Sequence, residues 1–96
     1  MLPIACASAA GVASPAAEQG HAGAQYNRGV AYGKGKGVPQ DYVQAHMWFN
    51  LAASRFSASE AEDRDRAVEN RDMIASRMTP EQLAEAQRLA REWKPK

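Results

Sequence analysis

Three features of this chain of 96 amino acids could indicate a binding or catalytic site. They are a glycine-lysine run, two histidines and one cysteine. The run from Gly33 to Gly37 alternates glycine with Lys34 and Lys36, which resembles the loops that hold phosphate groups. A nucleotide-binding loop, however, follows a strand and opens a helix, whereas this run follows a segment with helical spacing. We therefore interpret it as a turn between two helices.

The histidines and the cysteine do not form a catalytic or metal-binding pattern. His21 and His46 are far apart in the sequence, and neither has a ligand or an orienting partner at a fixed offset. We interpret both as polar residues on helix surfaces. Cys6 has no second cysteine to pair with and no basic neighbour to activate it. We therefore expect no catalytic residue, no metal and no cofactor.

The composition excludes several classes of partner. Twelve Lys and Arg are interspersed with eleven Asp and Glu, so no basic face is available for nucleic acid. No stretch approaches the roughly 20 apolar residues of a membrane span. Hydrophobic residues make up 45% of the chain, but many are alanines, which predicts a thin core. The length suits one small domain.

The first residues of the chain carry no charge and are mostly small. Pro3 interrupts the short apolar stretch and no basic residue precedes it, which disfavours a complete signal peptide. We interpret residues 1–16 as a flexible arm, a remnant of a signal peptide or the edge of a preceding repeat. Residues 17–96 are then a single helical domain.

Apolar residues recur at helical spacing in four segments. We predict helices over Ala16–Tyr32, Tyr42–Ala53 and Glu60–Met78, and a fourth from Pro80 to the Lys94-Pro95 end. Start signals precede the last three: Asp41 as a cap, and the pairs Ser57 with Glu60 and Thr79 with Gln82 as capping boxes. No segment alternates as a half-buried strand does. The sequence predicts an all-α fold.

The same spacing predicts which side chains form the core. We expect Gln25 and Asn27 to point away from it. The residues expected to be buried are Ala17, Ala24, Ala31 and Tyr32 in the first helix, Ala45, Trp48, Phe49 and Ala52 in the second, Ala61, Ala67, Val68, Ile74, Ala75 and Met78 in the third, and Leu83, Ala86, Leu89, Ala90 and Trp93 in the fourth.

Many linked positions in residues 17–54 follow one repeating pattern. They are Ala24, Gly29 and Tyr32, then Gly35, Gly37 and Asp41, then Ala45, Trp48 and Ala52. On these positions the segment resembles the Sel1-like repeat family, relatives of the tetratricopeptide repeat with two antiparallel helices. Gly29 and Ala45 lack bulk where two helices would approach closely. The resemblance implies an α-solenoid type helix-turn-helix repeat, followed by two additional helices as a C-terminal cap over residues 57–94.

The chain departs from the family in two respects. Arg28 stands where members usually carry leucine, so either its stem lies along the core with the charged head in water, or this surface faces solvent. Only one repeat is complete, although solenoid repeats bury their apolar faces against neighbours. The helices after the repeat must supply that neighbour, or a second copy must do so in a homodimer. The ending resembles that of bacterial members.

The resemblance implies a protein-protein interaction module or scaffold without catalytic activity, which binds a protein or peptide of unknown identity. Tyr42, Phe49 and Arg28 are the candidate partner-binding residues, while Trp48 is expected in the core. One alternative is a cell-wall or β-lactam enzyme like the cysteine-rich relatives, although Ser-x-x-Lys is absent. Another is the terminal cap of a longer array. The compartment stays open between cytoplasm, periplasm and secretion.

Overall fold

The computed structural model describes residues 15–95, and helices account for most of them. The elements are α1 (Pro15–Glu18), α2 (Ala22–Lys34), α3 (Tyr42–Arg55), a 3-10 turn (Ala58–Glu60), α4 (Ala61–Ala75) and α5 (Pro80–Glu92). No strand occurs among these residues, which confirms the prediction of an all-α fold. Residues 1–14, with Cys6 and most of the predicted arm, lie outside the described residues.

The predicted first helix, Ala16–Tyr32, is two helices separated by a turn at Gly20. This glycine has a φ of +97°, in the left-handed region that side chains disfavour. Its N–H donates to the Ala17 carbonyl (3.1 Å), and the His21 N–H donates to the Ala16 carbonyl (2.9 Å). These two bonds are those that close a helix at a glycine. The single-helix prediction is wrong because alanines continue the helical spacing across the glycine that ends α1.

The turn between α2 and α3 is formed by the glycine-lysine run, as predicted. Gly35 and Gly37 have φ values of +71° and +81°. The Asp41 N–H donates to the Tyr32 carbonyl (3.0 Å) and draws the two helices together. The Asp41 carboxylate then accepts a hydrogen bond from the Gln44 N–H (3.1 Å). The predicted cap of α3 is therefore confirmed.

Side-chain caps also mark the starts of the last two helices. The Thr79 hydroxyl accepts from the Gln82 N–H (3.1 Å), and the Gln82 side chain accepts from the Thr79 N–H (3.0 Å). This confirms the predicted capping box, with Pro80 at the first helical position. The Glu60 carboxylate accepts from the Ser57 N–H (3.1 Å) and hydroxyl (2.8 Å). That segment begins as a 3-10 turn and becomes α-helical at residue 61.

Helix α3 lies at the centre of the fold, because it packs against α2, α4 and α5, whereas α4 and α5 make little direct contact. Every residue from Ala45 to Phe49 is buried, as are Leu51 and Ala52. The predicted core positions of this helix are confirmed. The other fully or nearly fully buried apolar residues are Ala17, Ala31, Ala67, Ile74 and Ala86.

Two polar residues that were predicted at the surface are buried. The Gln25 side chain is 0% exposed, and its amide donates to the Ala17 carbonyl (3.2 Å), which joins α2 to α1. His46 is 4% exposed because α4 and α5 cover its flank of α3. These predictions are wrong because a single hairpin would expose both positions. His21 and Asn27 are exposed, as expected.

The burial of His46 has an electrostatic consequence. Burial lowers the pKa of His46, the nearby Arg71 guanidinium lowers it further, and the Asp72 carboxylate opposes both effects. Arg71 itself donates to the side chains of Asn50 (3.0 Å) and Asp72 (3.1 Å). Folding therefore favours the neutral form of the His46 imidazole, which lies in the cleft between α4 and α5.

We predict that protonation of His46 destabilises the fold. In the unfolded chain the imidazole takes up a proton near its ordinary pKa of 6.5, whereas in the folded chain it does so only at lower pH. The free energy of unfolding should therefore fall as the pH drops below about 6.5, by at most about 1.4 kcal/mol per pH unit. Urea titrations should show a flatter pH dependence for His46→Gln. His21→Gln is the exposed control, and in this variant the free energy of unfolding should still fall with pH as in the unmodified protein. An equal pH dependence of the free energy of unfolding in both variants would contradict the prediction.

Gly29 of α2 lies against the Phe49 ring of α3. A Cβ at this position would lie 2.9 Å from Cδ1 and Cε1 of the Phe49 ring. We predict that Gly29→Ala lowers the free energy of unfolding by about 1–3 kcal/mol, because the buried ring must shift. At Gly23 in the same helix, a Cβ would meet nothing within 4 Å. Gly23→Ala should be neutral or stabilising by up to about 1 kcal/mol. Urea denaturation followed by circular dichroism measures both, and equal stabilities would refute the close contact.

Candidate partner-binding groove

A groove of about 360 Å³ lies between α2, α3 and α4. Its base is apolar and consists of the buried side chains of Phe49 from α3 and Ile74 from α4, which are 2% and 5% exposed. Gly33 widens it, since a Cβ there would lie 3.3 Å from the Ile74 Cδ1 atom. The groove thus lies between two helices that both pack on α3, and it has a glycine in its lining at Gly33.

Tyr26 holds one end of the groove in a fixed position. Its ring packs edge-on against Phe49, with centroids 5.4 Å apart and planes at 61°. Its hydroxyl accepts a hydrogen bond from the Asn70 side chain (2.8 Å). Because the Tyr26 ring is packed and its hydroxyl is hydrogen-bonded, the side chain loses little further conformational freedom when a ligand binds. This wall of the groove is therefore already ordered before binding.

The rim of the groove is exposed and combines apolar and basic groups. Met73 of α4 is 52% exposed, the most exposed large hydrophobic side chain among the described residues. Lys34 at the end of α2 and Arg77 after α4 also line the groove. Neither cation forms an ion pair with a carboxylate in the described part of the chain. An exposed flexible thioether above an apolar base is typical of binding surfaces.

The predicted partner-binding residues lie in different places. Tyr42, half-buried, lines the groove. Phe49 also reaches the groove, but with 2% exposure it forms the base and is part of the core. Its burial agrees with its expected place in the core, and its role as a partner contact stays a prediction. Met73 could not be identified from the sequence, because it lies off the predicted apolar stripe of a highly charged helix.

Arg28 is engaged within the molecule and does not reach the groove. Its guanidinium carbon lies 4.5 Å from the centre of the Trp48 ring, and Nη1 lies 3.6 Å from a Glu18 carboxylate oxygen. The side chain is 12% exposed. Both predicted arrangements, with the head in water or the surface facing solvent, are wrong because α1 covers this face.

Within residues 15–95, no three or more His, Cys, Asp and Glu side chains are grouped so that they could hold a metal ion. None of the helices there is long and apolar enough to cross a membrane. Searches of curated proteins and of solved structures found no match. Residues 22–55 match the family model of the Sel1 repeat. The chain therefore contains a Sel1 repeat, formed by α2, α3 and the turn between them.

Proposed function

We propose that the protein is a non-catalytic interaction module that binds a segment of another protein in the groove between α2, α3 and α4. The observation that carries this proposal is the exposed Met73 side chain over an apolar base. A Sel1 repeat suggests a protein-interaction role, which supports the same conclusion.

The dimensions of the groove suit a protruding side chain of a partner. Its volume of about 360 Å³ lies at the lower end of ligand pockets, and it is open along the helices. An aliphatic or aromatic side chain can rest on Phe49 and Ile74 while its backbone remains outside. Such an anchor in an apolar pocket commonly supplies much of the affinity of an interface. Tyr42 and Met73 would flank it and exclude water.

We predict that Met73→Gln weakens the binding of peptides selected from a displayed random library by about fivefold to tenfold, because apolar contact at the rim is lost. Affinities of the selected peptides are measured by fluorescence anisotropy. Glutamine is a good helix former and the position is exposed, so circular dichroism should be unchanged.

The matched control is Ala84→Gln, which places the same side chain at an exposed position on α5, away from the groove. It should leave the affinities unchanged. If no peptide is enriched, or if all enriched peptides bind Met73→Gln as tightly as the unmodified protein, the groove is not the binding site.

A further inference from the structure

A second depression continues the groove along the seam between α2 and α4. It has a volume of about 350 Å³ and includes Gly23, near the start of α2, and Asp63, near the start of α4. Tyr26 lines both depressions. The seam therefore runs from the beginnings of the two helices to Lys34 at the end of α2 and Arg77 just after α4, with Tyr26 between the two depressions.

The two ends of this seam carry different charge. The end formed by Lys34 and Arg77 has two cations and no carboxylate among its lining residues. The other end has the carboxylates of Glu60 and Asp63 and one cation, Arg66, which lies 3.5 Å from Asp63. The side-chain charge thus falls from plus two to minus one along the seam.

The helix dipoles reduce the charge difference between the two ends of the seam, but they do not make the basic end negative. The carboxyl ends of α2 and α4 each contribute a partial negative charge of about one half, which two full cations exceed. At the opposite end, the two amino ends offset the single net negative charge. The Lys34 and Arg77 end is therefore positive, and the end near Asp63 is close to neutral.

We infer that the groove recognises a peptide segment with an apolar anchor and acidic residues on one side of it, placed over Lys34 and Arg77. The inference rests on the proposed function and adds the chemistry of the partner. Both cations are exposed and have no carboxylate partner in the described part of the chain, so a partner's carboxylates can pair with them without breaking an existing ion pair. The apolar anchor supplies affinity, and the acidic flank selects the partner and its orientation.

The test uses three synthetic peptides that share one Leu-Phe anchor and differ only in the flanking pair, which is two Glu, two Gln or two Lys. Anisotropy titrations at low salt should give tightest binding for the Glu peptide, by about fivefold to tenfold over the Gln peptide, and weakest binding for the Lys peptide. The preference should shrink at high salt, because the pairs are exposed.

The double variant Lys34→Glu with Arg77→Glu should reverse this order. Its matched control, Arg91→Glu with Lys94→Glu, makes the same change in net charge at exposed positions of the last helix and its end. The control should keep the original order. A reversed order in the control would show an effect of net charge alone and overturn the inference.

The outcomes separate this inference from the proposed function. Equal affinities for the Glu and Gln peptides, both weakened by Met73→Gln, would retain the groove and overturn its preference for acidic segments. Failure of all three peptides to bind would count against both. Sedimentation that reveals a dimer broken by Met73→Gln would assign the groove to a second copy of the chain and also overturn the inference.

Discussion

The packing of three helices around α3 is the constraint from which the other features of the protein follow. Because α2, α4 and α5 all contact α3, five consecutive residues from Ala45 to Phe49 are buried. On one flank, Trp48 packs edge-on against Trp93, with ring centroids 5.9 Å apart. On another, Phe49 fills the space that Gly29 leaves open. A helix surrounded in this way supplies most of the core that so small a chain can bury.

The same arrangement creates the groove. A solenoid repeat normally buries its open face against the next repeat. Here α4 and α5 occupy that face, each packed on α3 and barely on each other. The seam between α2 and α4 remains partly open, with Phe49 and Ile74 at its base and Met73 exposed at its rim. The Lys34 and Arg77 side chains give this opening its charge. The proposed binding surface thus belongs to the repeat and its following helices together.

Local signals were sufficient to predict much of the fold. Asp41 and Thr79 cap helices through bonds within four residues, so their roles can be inferred from the sequence alone. The burial of Gln25 and His46 depends on helices distant along the chain, and no local pattern reports it. The groove could not be predicted from local patterns, because Met73 and the apolar base are brought to one groove only when α4 lies beside α2. The sequence therefore predicts most of the helices and two groove residues, Tyr42 and Phe49, but not the groove.

The dependence of the repeat on α4 and α5 can be measured directly with a chain that ends at Ser57. This shortened chain lacks α4 and α5, so His46, Phe49 and other buried residues of α3 would be exposed. We expect circular dichroism at rising temperature to show reduced helix content and no cooperative transition, because one hairpin buries too little apolar surface. A cooperative transition with the same midpoint temperature as the full chain would show that the repeat folds alone. That result would contradict the central role assigned to packing around α3.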